Sequence, residues 1–195
     1  MSIITLLDIV DNSRTDKNTT HSYLNLYQDL LHKKKNTATN VLEIGIGTQR
    51  PCYGGSIKMW HKYFTNANVY ALDIVHESNV HEDIKNKDRI KLFTSTDAYD
   101  ESFFKKTFLN TDLKFDFMLD DGPHTLETMK IFIKLYSQIM KDDGILIIED
   151  VESIDWIDHL KNAVPDELKP FIKVYDLRHI KNRYDDIVFT IDKSN

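Results

Sequence analysis

The feature that most constrains this chain is an alternation of short strand-like runs with helix-compatible stretches. Five runs, at 41–44, 69–73, 90–93, 115–120 and 145–149, have the length and the branched or aromatic content of strands. Between them, 56–64, 100–108 and 125–140 read as helices, the last with Met129, Ile133, Tyr136 and Met140 spaced three or four apart. Strand and helix in turn predict a largely parallel, doubly wound sheet. A helix is expected over 23–31 and another over 154–162. Two late runs, 172–175 and 187–191, are joined by the turn-like Lys181-Asn182-Arg183-Tyr184-Asp185 and suit an antiparallel hairpin at the sheet edge. The expectation is therefore an α/β fold with a seven-stranded, mostly parallel sheet, helices on both faces and an antiparallel edge strand.

At 195 residues the chain is expected to form a single domain, 1–195, with 1–36 as an N-terminal helical cap and 37–195 as the core. No window approaches the roughly 18 apolar residues of a membrane span, and the start carries neither a basic leader nor a small-residue cleavage site. A cytoplasmic location follows as an expectation. The net charge of −6 is spread without one dominant basic patch, which argues against nucleic acid as a partner. The run His32-Lys33-Lys34-Lys35 reads as the solvated end of a helix, complementing its dipole. The single cysteine, Cys52, excludes an internal disulfide and any multi-thiolate zinc site, and reads as a stray residue.

Ligands of open α/β sheets lie beyond the carboxyl ends of the strands, so the strand ends carry the functional reading. After the first run comes Glu43-Ile44-Gly45-Ile46-Gly47: an acidic strand end and a G-x-G turn that lets a ligand approach the backbone, while the carboxylate can accept from an ammonium group. The dinucleotide fingerprint is incomplete, since its third glycine position is Arg50. Asp73 ends the next run at the kind of interval where an acidic residue meets ribose hydroxyls. Asp97, past the third run, suits an adenine contact or, equally, a helix N-cap. The fourth and fifth runs end in Asp120-Asp121-Gly122-Pro123-His124 and Glu149-Asp150. Carboxylates crowded at one crevice repel each other and titrate upward unless a cation joins them, and magnesium suits such oxygen ligands.

Taken in order, Thr15-Asp16-Lys17, His21-Ser22-Tyr23, Leu42-Glu43-Ile44-Gly45, Gly54-Gly55-Ser56-Ile57-Lys58-Met59-Trp60, Tyr63-Phe64, Asp73-Ile74, Asp120-Asp121-Gly122-Pro123-His124 and Ile148-Glu149-Asp150 resemble the magnesium-dependent sugar O-methyltransferases of the macrocin and mycinamicin type. These are class I S-adenosylmethionine-dependent methyltransferases with a Rossmann-like sheet. The resemblance implies that Asp121, Glu149 and Asp150 hold magnesium and that His124 is the general base. It further implies that Glu43, Gly45, Gly47, Ser56, Asp73, Asp97 and Asp120 serve S-adenosylmethionine, and that the acceptor is a sugar of a nucleotide sugar, glycan or glycoside. Two departures stand out: Pro123 replaces a usual serine, and Ala98 a frequent glutamine.

Plain structural alternatives accompany these assignments. Asp120 could be a strand-end residue pairing with backbone, His124 the N-cap of the following helix, and Glu149 and Asp150 solvated charges. Tyr23 and Tyr27 could be core rather than site. At the level of function the alternatives are a catechol-type phenolic methyltransferase and a non-catalytic S-adenosylmethionine-binding subunit. Association into a homo-oligomer is compatible with the chain, but no interface is legible in it.

Overall fold

The computed structural model describes residues 4–47 and 54–194; Arg50 and Cys52 lie outside the described residues. In chain order the elements are α1 (Leu6–Ile9), α2 (Tyr23–Leu31), β1 (Asn40–Ile44), α3 (Gly55–Tyr63), β2 (Asn68–Leu72), β3 (Ile90–Phe93), α4 (Glu101–Phe104), β4 (Phe115–Asp120), α5 (Leu126–Tyr136), β5 (Met140–Ile148), α6 (Trp156–Ala163), β6 (Ile172–Asp176), α7 (Arg178–Lys181) and β7 (Ile187–Asp192). The seven strands form one sheet in the order β3-β2-β1-β4-β5-β7-β6. The β1–β2, β2–β3 and β4–β5 pairings are parallel, and β7 runs antiparallel to β5 and β6. This is the Rossmann-like sheet with the antiparallel edge that the sequence pattern predicts. Among the described residues no helix is long and apolar enough to cross a membrane.

The chain divides into two compact units, Met1–Thr96 and Asp97–Asn195. In the first, β1 and β2 are buried along nearly their whole length, as strands covered on both faces must be. An aromatic series packs α2 and α3 into the same core: His21, Tyr23, Tyr27, Trp60 and Phe64 follow one another at centroid separations of 5.0–6.1 Å. Tyr23 and Tyr27 are fully buried and belong to that core. Residues 11–22 are tied down locally: the Asp16 carbonyl accepts the backbone N–H groups of Thr19, Thr20 and His21. The Arg14 guanidinium and the Lys58 ammonium share the Asp83 carboxylate at 2.5 and 2.6 Å, which holds that carboxyl down near a pKa of about 2.

In the second unit, β4 is buried throughout and Phe104, Phe108, Phe115, Phe132 and Tyr136 make the aromatic core. Several elements depart from expectation. The helix expected over 125–140 ends at Tyr136, and after a tight turn at Ser137–Ile139 the chain enters β5 at Met140, whose pairing with Phe115 claims the backbone that a helix would need. The stretch 100–108 is one α-turn, Glu101–Phe104, followed by a wider turn in which Asn110 N–H donates to the Lys105 carbonyl. Asp100 caps it by accepting from Phe103 N–H at 2.7 Å. The lysine run is a tight turn, and Lys34 is buried rather than solvated, only 3% exposed. The β6–β7 connection contains the short helix α7, closed by Asn182 in the left-handed region at φ 56°.

Candidate active site

The first unit presents the ends of β1 and β2. Beyond β1 the chain turns through Gly45 and Gly47 at φ 100° and 133°, where a side chain is strained, so the two glycines meet a backbone requirement. Asp73, immediately after β2, shapes this turn. Its Oδ2 accepts the Ile46 N–H at 2.7 Å and its Oδ1 accepts the Val75 N–H at 3.0 Å, and the residue remains half-exposed. Next to it Ile74 is 76% exposed, an apolar side chain left in the open beside a carboxylate, which strand periodicity alone did not single out.

Glu43 occupies a different environment from the one its strand-end position suggests. It is fully buried; Oε1 accepts the Ser56 hydroxyl at 2.8 Å and lies 3.5 Å from the Lys17 ammonium, while Oε2 accepts the Trp60 indole N–H. Both carboxylate oxygens thus have protein donors, and Ser56 is one of them. Lys17, only 1% exposed, supplies the compensating charge that a buried carboxylate requires.

The second unit presents the ends of β4 and β5. Asp121, His124 and Asp150 converge, with ligand-capable atoms all within 4.8 Å of one another. His124 Nε2 lies 3.3 Å from Asp121 Oδ1, and Nδ1 lies 3.3 Å from Asp150 Oδ2. Burial opposes a charge on this ring, but the hydrogen bond to Asp121 and the charges of Asp150, Asp121 and Asp120 outweigh it and push its pKa up to about 9. Capping of α5 is done by Thr125, whose hydroxyl accepts the Thr128 N–H at 3.2 Å, so His124 is not spent on the helix end. Glu149 and Asp150 are 1% and 5% exposed, which removes the solvated-charge alternative for both. Glu149 lies outside the three-residue cluster.

Asp120 is 3% exposed and accepts the Tyr99 hydroxyl at 2.5 Å. Burial pushes its pKa up to about 7, against the opposing pull of Tyr99, His124 and the Gly122 N–H. Burial, with the Asp120 charge next, raises the Tyr99 phenol far above its ordinary value. Asp97 is exposed; its Oδ1 accepts the Tyr99 N–H at 2.9 Å, and the α4 cap falls to Asp100 instead.

Solved structures match this architecture over nearly all of the chain. MycE, a methyltransferase of the mycinamicin pathway solved in complex with Mg and SAH, superposes with a TM-score of 0.73 at 21% identity, covering 98% of this chain and 55% of that one. An O-methyltransferase from Bacillus cereus in complex with SAH gives a TM-score of 0.59 at 15% identity over 86% of this chain and 79% of its own. The fold is that of the class I methyltransferases. In sequence the chain is similar to demethylmacrocin O-methyltransferase of Streptomyces fradiae, 29% identical over 70% of this chain and 33% of the relative. It is likewise similar to mycinamicin VI 2''-O-methyltransferase of Micromonospora griseorubida, 27% identical over 68% of this chain and 32% of the relative. A Streptomyces olivaceus 3'-O-methyltransferase of a rhamnosyl-tetracenomycin is 26% identical over 67% of this chain and 32% of its own length. The match therefore spans about a third of the curated relatives. No protein-family model matches the chain.

Proposed function

We propose that the chain is a cytoplasmic S-adenosylmethionine-dependent, magnesium-assisted O-methyltransferase acting on a hydroxyl of a sugar carried by a nucleotide, a glycan or a natural-product glycoside. The observation that carries the reading is the convergence of Asp121, His124 and Asp150 at the ends of adjacent parallel strands. The sugar acceptor is suggested by relatives whose names specify rhamnosyl or olivosyl compounds. A catechol-type enzyme is less favoured, because relatives of this chain are named for rhamnosyl and olivosyl acceptors. A merely cofactor-binding subunit would have no use for a half-buried imidazole held between two carboxylates.

The residues present fit the groups this activity needs. Two hard carboxylate oxygens beside an imidazole suit magnesium, with Glu149 the further ligand that the sequence resemblance implies. A half-exposed carboxylate at Asp73 next to the bare face of Ile74 suits an adenosine, with ribose hydroxyls on the first and adenine on the second. In this reading Gly45 and Gly47 let the cofactor approach the backbone and Asp97 offers an acceptor edge. Glu43 and Ser56 act from beneath by tying α3 to the end of β1, and Asp120 by holding the turn at Gly122. Bound S-adenosylmethionine supplies an electrophilic methyl group, and bound magnesium makes an acceptor hydroxyl more acidic. His124 takes the hydroxyl proton at a ring nitrogen as the oxygen attacks. Asp121 and Asp150 would hold the dication, and their charge, once shared with it, would favour a protonated His124 less.

The test is incubation with labelled S-adenosylmethionine, magnesium and a panel of nucleotide sugars and glycosides, with products read by mass. Transfer of one methyl group to a sugar hydroxyl, abolished by EDTA, is expected. Undiminished transfer in excess EDTA, or methylation of catechols but no sugar, overturns the reading.

A further inference from the structure

Tyr99 is used neither by the nucleoside half nor by the charged cluster, yet it is built into the turn between them in sequence. Its backbone is held twice: its own N–H donates to Asp97 Oδ1 at 2.9 Å, and the preceding Ala98 carbonyl accepts the Tyr136 hydroxyl at 2.8 Å. Tyr136 is the last residue of α5, the helix that starts two residues after His124. From this support the phenol reaches across to Asp120 Oδ1. It also occupies the space that a side chain at position 122 would need. A Cβ on Gly122 would lie 2.0 Å from the Tyr99 oxygen and 3.0 Å from Asp120 Oδ1. Asp120 in turn accepts the Gly122 N–H. Gly122 has no left-handed backbone to explain it, so its identity answers to the phenol above it.

We infer that Tyr99 is a positioning residue: acting through Asp120, its hydroxyl holds the turn at 120–124 in the shape that brings Asp121 and His124 to Asp150. The inference rests on the metal-assisted reading above only for its consequence; the brace itself is a matter of geometry. A ring without the hydroxyl occupies the same half-buried place, so Tyr99→Phe separates bracing from packing. Supporting groups behind metal ligands typically contribute about 10–100-fold in metal affinity, and a loss in that range is expected for the variant.

The experiment measures three quantities on the full chain: affinity for Mn²⁺ alone by titration calorimetry, hydrogen exchange without ligand at the amides within 121–124, those of Asp121, Gly122 and His124, and the stability cost of Gly122→Ala. Tyr99→Phe should weaken Mn²⁺ binding and speed exchange at 121–124 while leaving exchange in β1 and β2 unchanged, a pattern that general destabilisation would not give. Gly122→Ala should cost less stability in the Tyr99→Phe background than in the parent, because the atom 2.0 Å from the new methyl is gone. Parental exchange at 121–124 in Tyr99→Phe, or a Gly122→Ala cost equal in both backgrounds, overturns the inference. If the parent itself binds no Mn²⁺, the metal-assisted reading fails, while the exchange and the Gly122 coupling still decide the brace.

Discussion

Replacing Lys17 by methionine tests the buried charge beneath the β1 turn. Lys17 and Glu43 are 1% and 0% exposed and stand 3.5 Å apart, so the substitution leaves a carboxylate in the core without its countercharge. Breaking one side of a buried pair costs about 3–5 kcal/mol. Glu43 keeps the Ser56 hydroxyl and the Trp60 indole as donors, so the lower end, about 3 kcal/mol, is expected. For a chain of this length that corresponds to a melting temperature lower by roughly 6–12 °C. Adding Glu43→Gln removes the orphaned charge while keeping the shape: the amide oxygen can accept from Trp60 and the amide NH₂ can donate to the Ser56 oxygen. The double variant should therefore recover most of the loss. Urea unfolding followed by tryptophan fluorescence, with calorimetric melting as a second probe, measures all three chains. A Lys17→Met chain within about 1 kcal/mol of the parent, or a double variant less stable than the single one, would refute the reasoning, because either result means that Glu43 does not carry an uncompensated charge when Lys17 is gone.

Asp73→Ala should weaken S-adenosylhomocysteine binding by about 1–3 kcal/mol in calorimetry, the usual effect of losing a charge-assisted hydrogen-bond partner; unchanged affinity would detach Asp73 from the nucleoside site. Asp121→Ala should raise the magnesium concentration for half-maximal turnover and make EDTA inhibition easier, whereas His124→Ala should leave that concentration nearly unchanged and reduce turnover by about 10²–10⁴-fold. Should His124→Ala shift the magnesium requirement as Asp121→Ala does, the ring is a ligand and not the base. Gly55→Ala places a methyl 2.3 Å from the Arg14 carbonyl oxygen, so it should destabilise by about 1–3 kcal/mol, read by chemical unfolding; an unaffected midpoint would mean that residues 11–22 do not lie firmly on the start of α3.

The parts of this molecule that could be read from the chain are those that repeat or stand at fixed intervals. Strand runs rich in Val, Ile, Leu and Phe, acidic residues at their ends and the G-x-G turn are local patterns, and all seven strands lie within a few residues of where the pattern puts them, except that β5 begins earlier, at Met140. The strand ends Asp121 and Asp150 could be named for the same reason. What escaped reading depends on partners far apart in the chain. Glu43 looks from its position like an exposed acceptor; only the fold brings Lys17, Ser56 and Trp60 around it. Lys34 belongs to a basic run that reads as solvated, yet it is only 3% exposed in the folded chain. Tyr99 carries no motif at all, and nothing in the local sequence pairs it with Asp120, 21 residues away.

The backbone itself separates the charged cluster from an ordinary pair of strand ends. His124 and Asp150 both take left-handed conformations, φ 57° and 54°, and neither is a glycine. Such residues cost about 1–3 kcal/mol each and persist where their surroundings leave no alternative. Here the surroundings are identifiable. Thr125 caps α5 on one side of His124, and Pro123 restricts φ on the other. Asp150 follows Glu149, whose N–H donates to the Asp120 carbonyl, and precedes Val151, whose N–H donates to the Ile187 carbonyl. Each left-handed residue is thus held between fixed neighbours. Glycine takes such positions without that cost, and among side chains Asn, Asp and His tolerate them best. A histidine and an aspartate stand there with side chains 3.3 Å apart, so two residue types that tolerate the conformation also aim an imidazole and a carboxylate at a common point, which a glycine could not do.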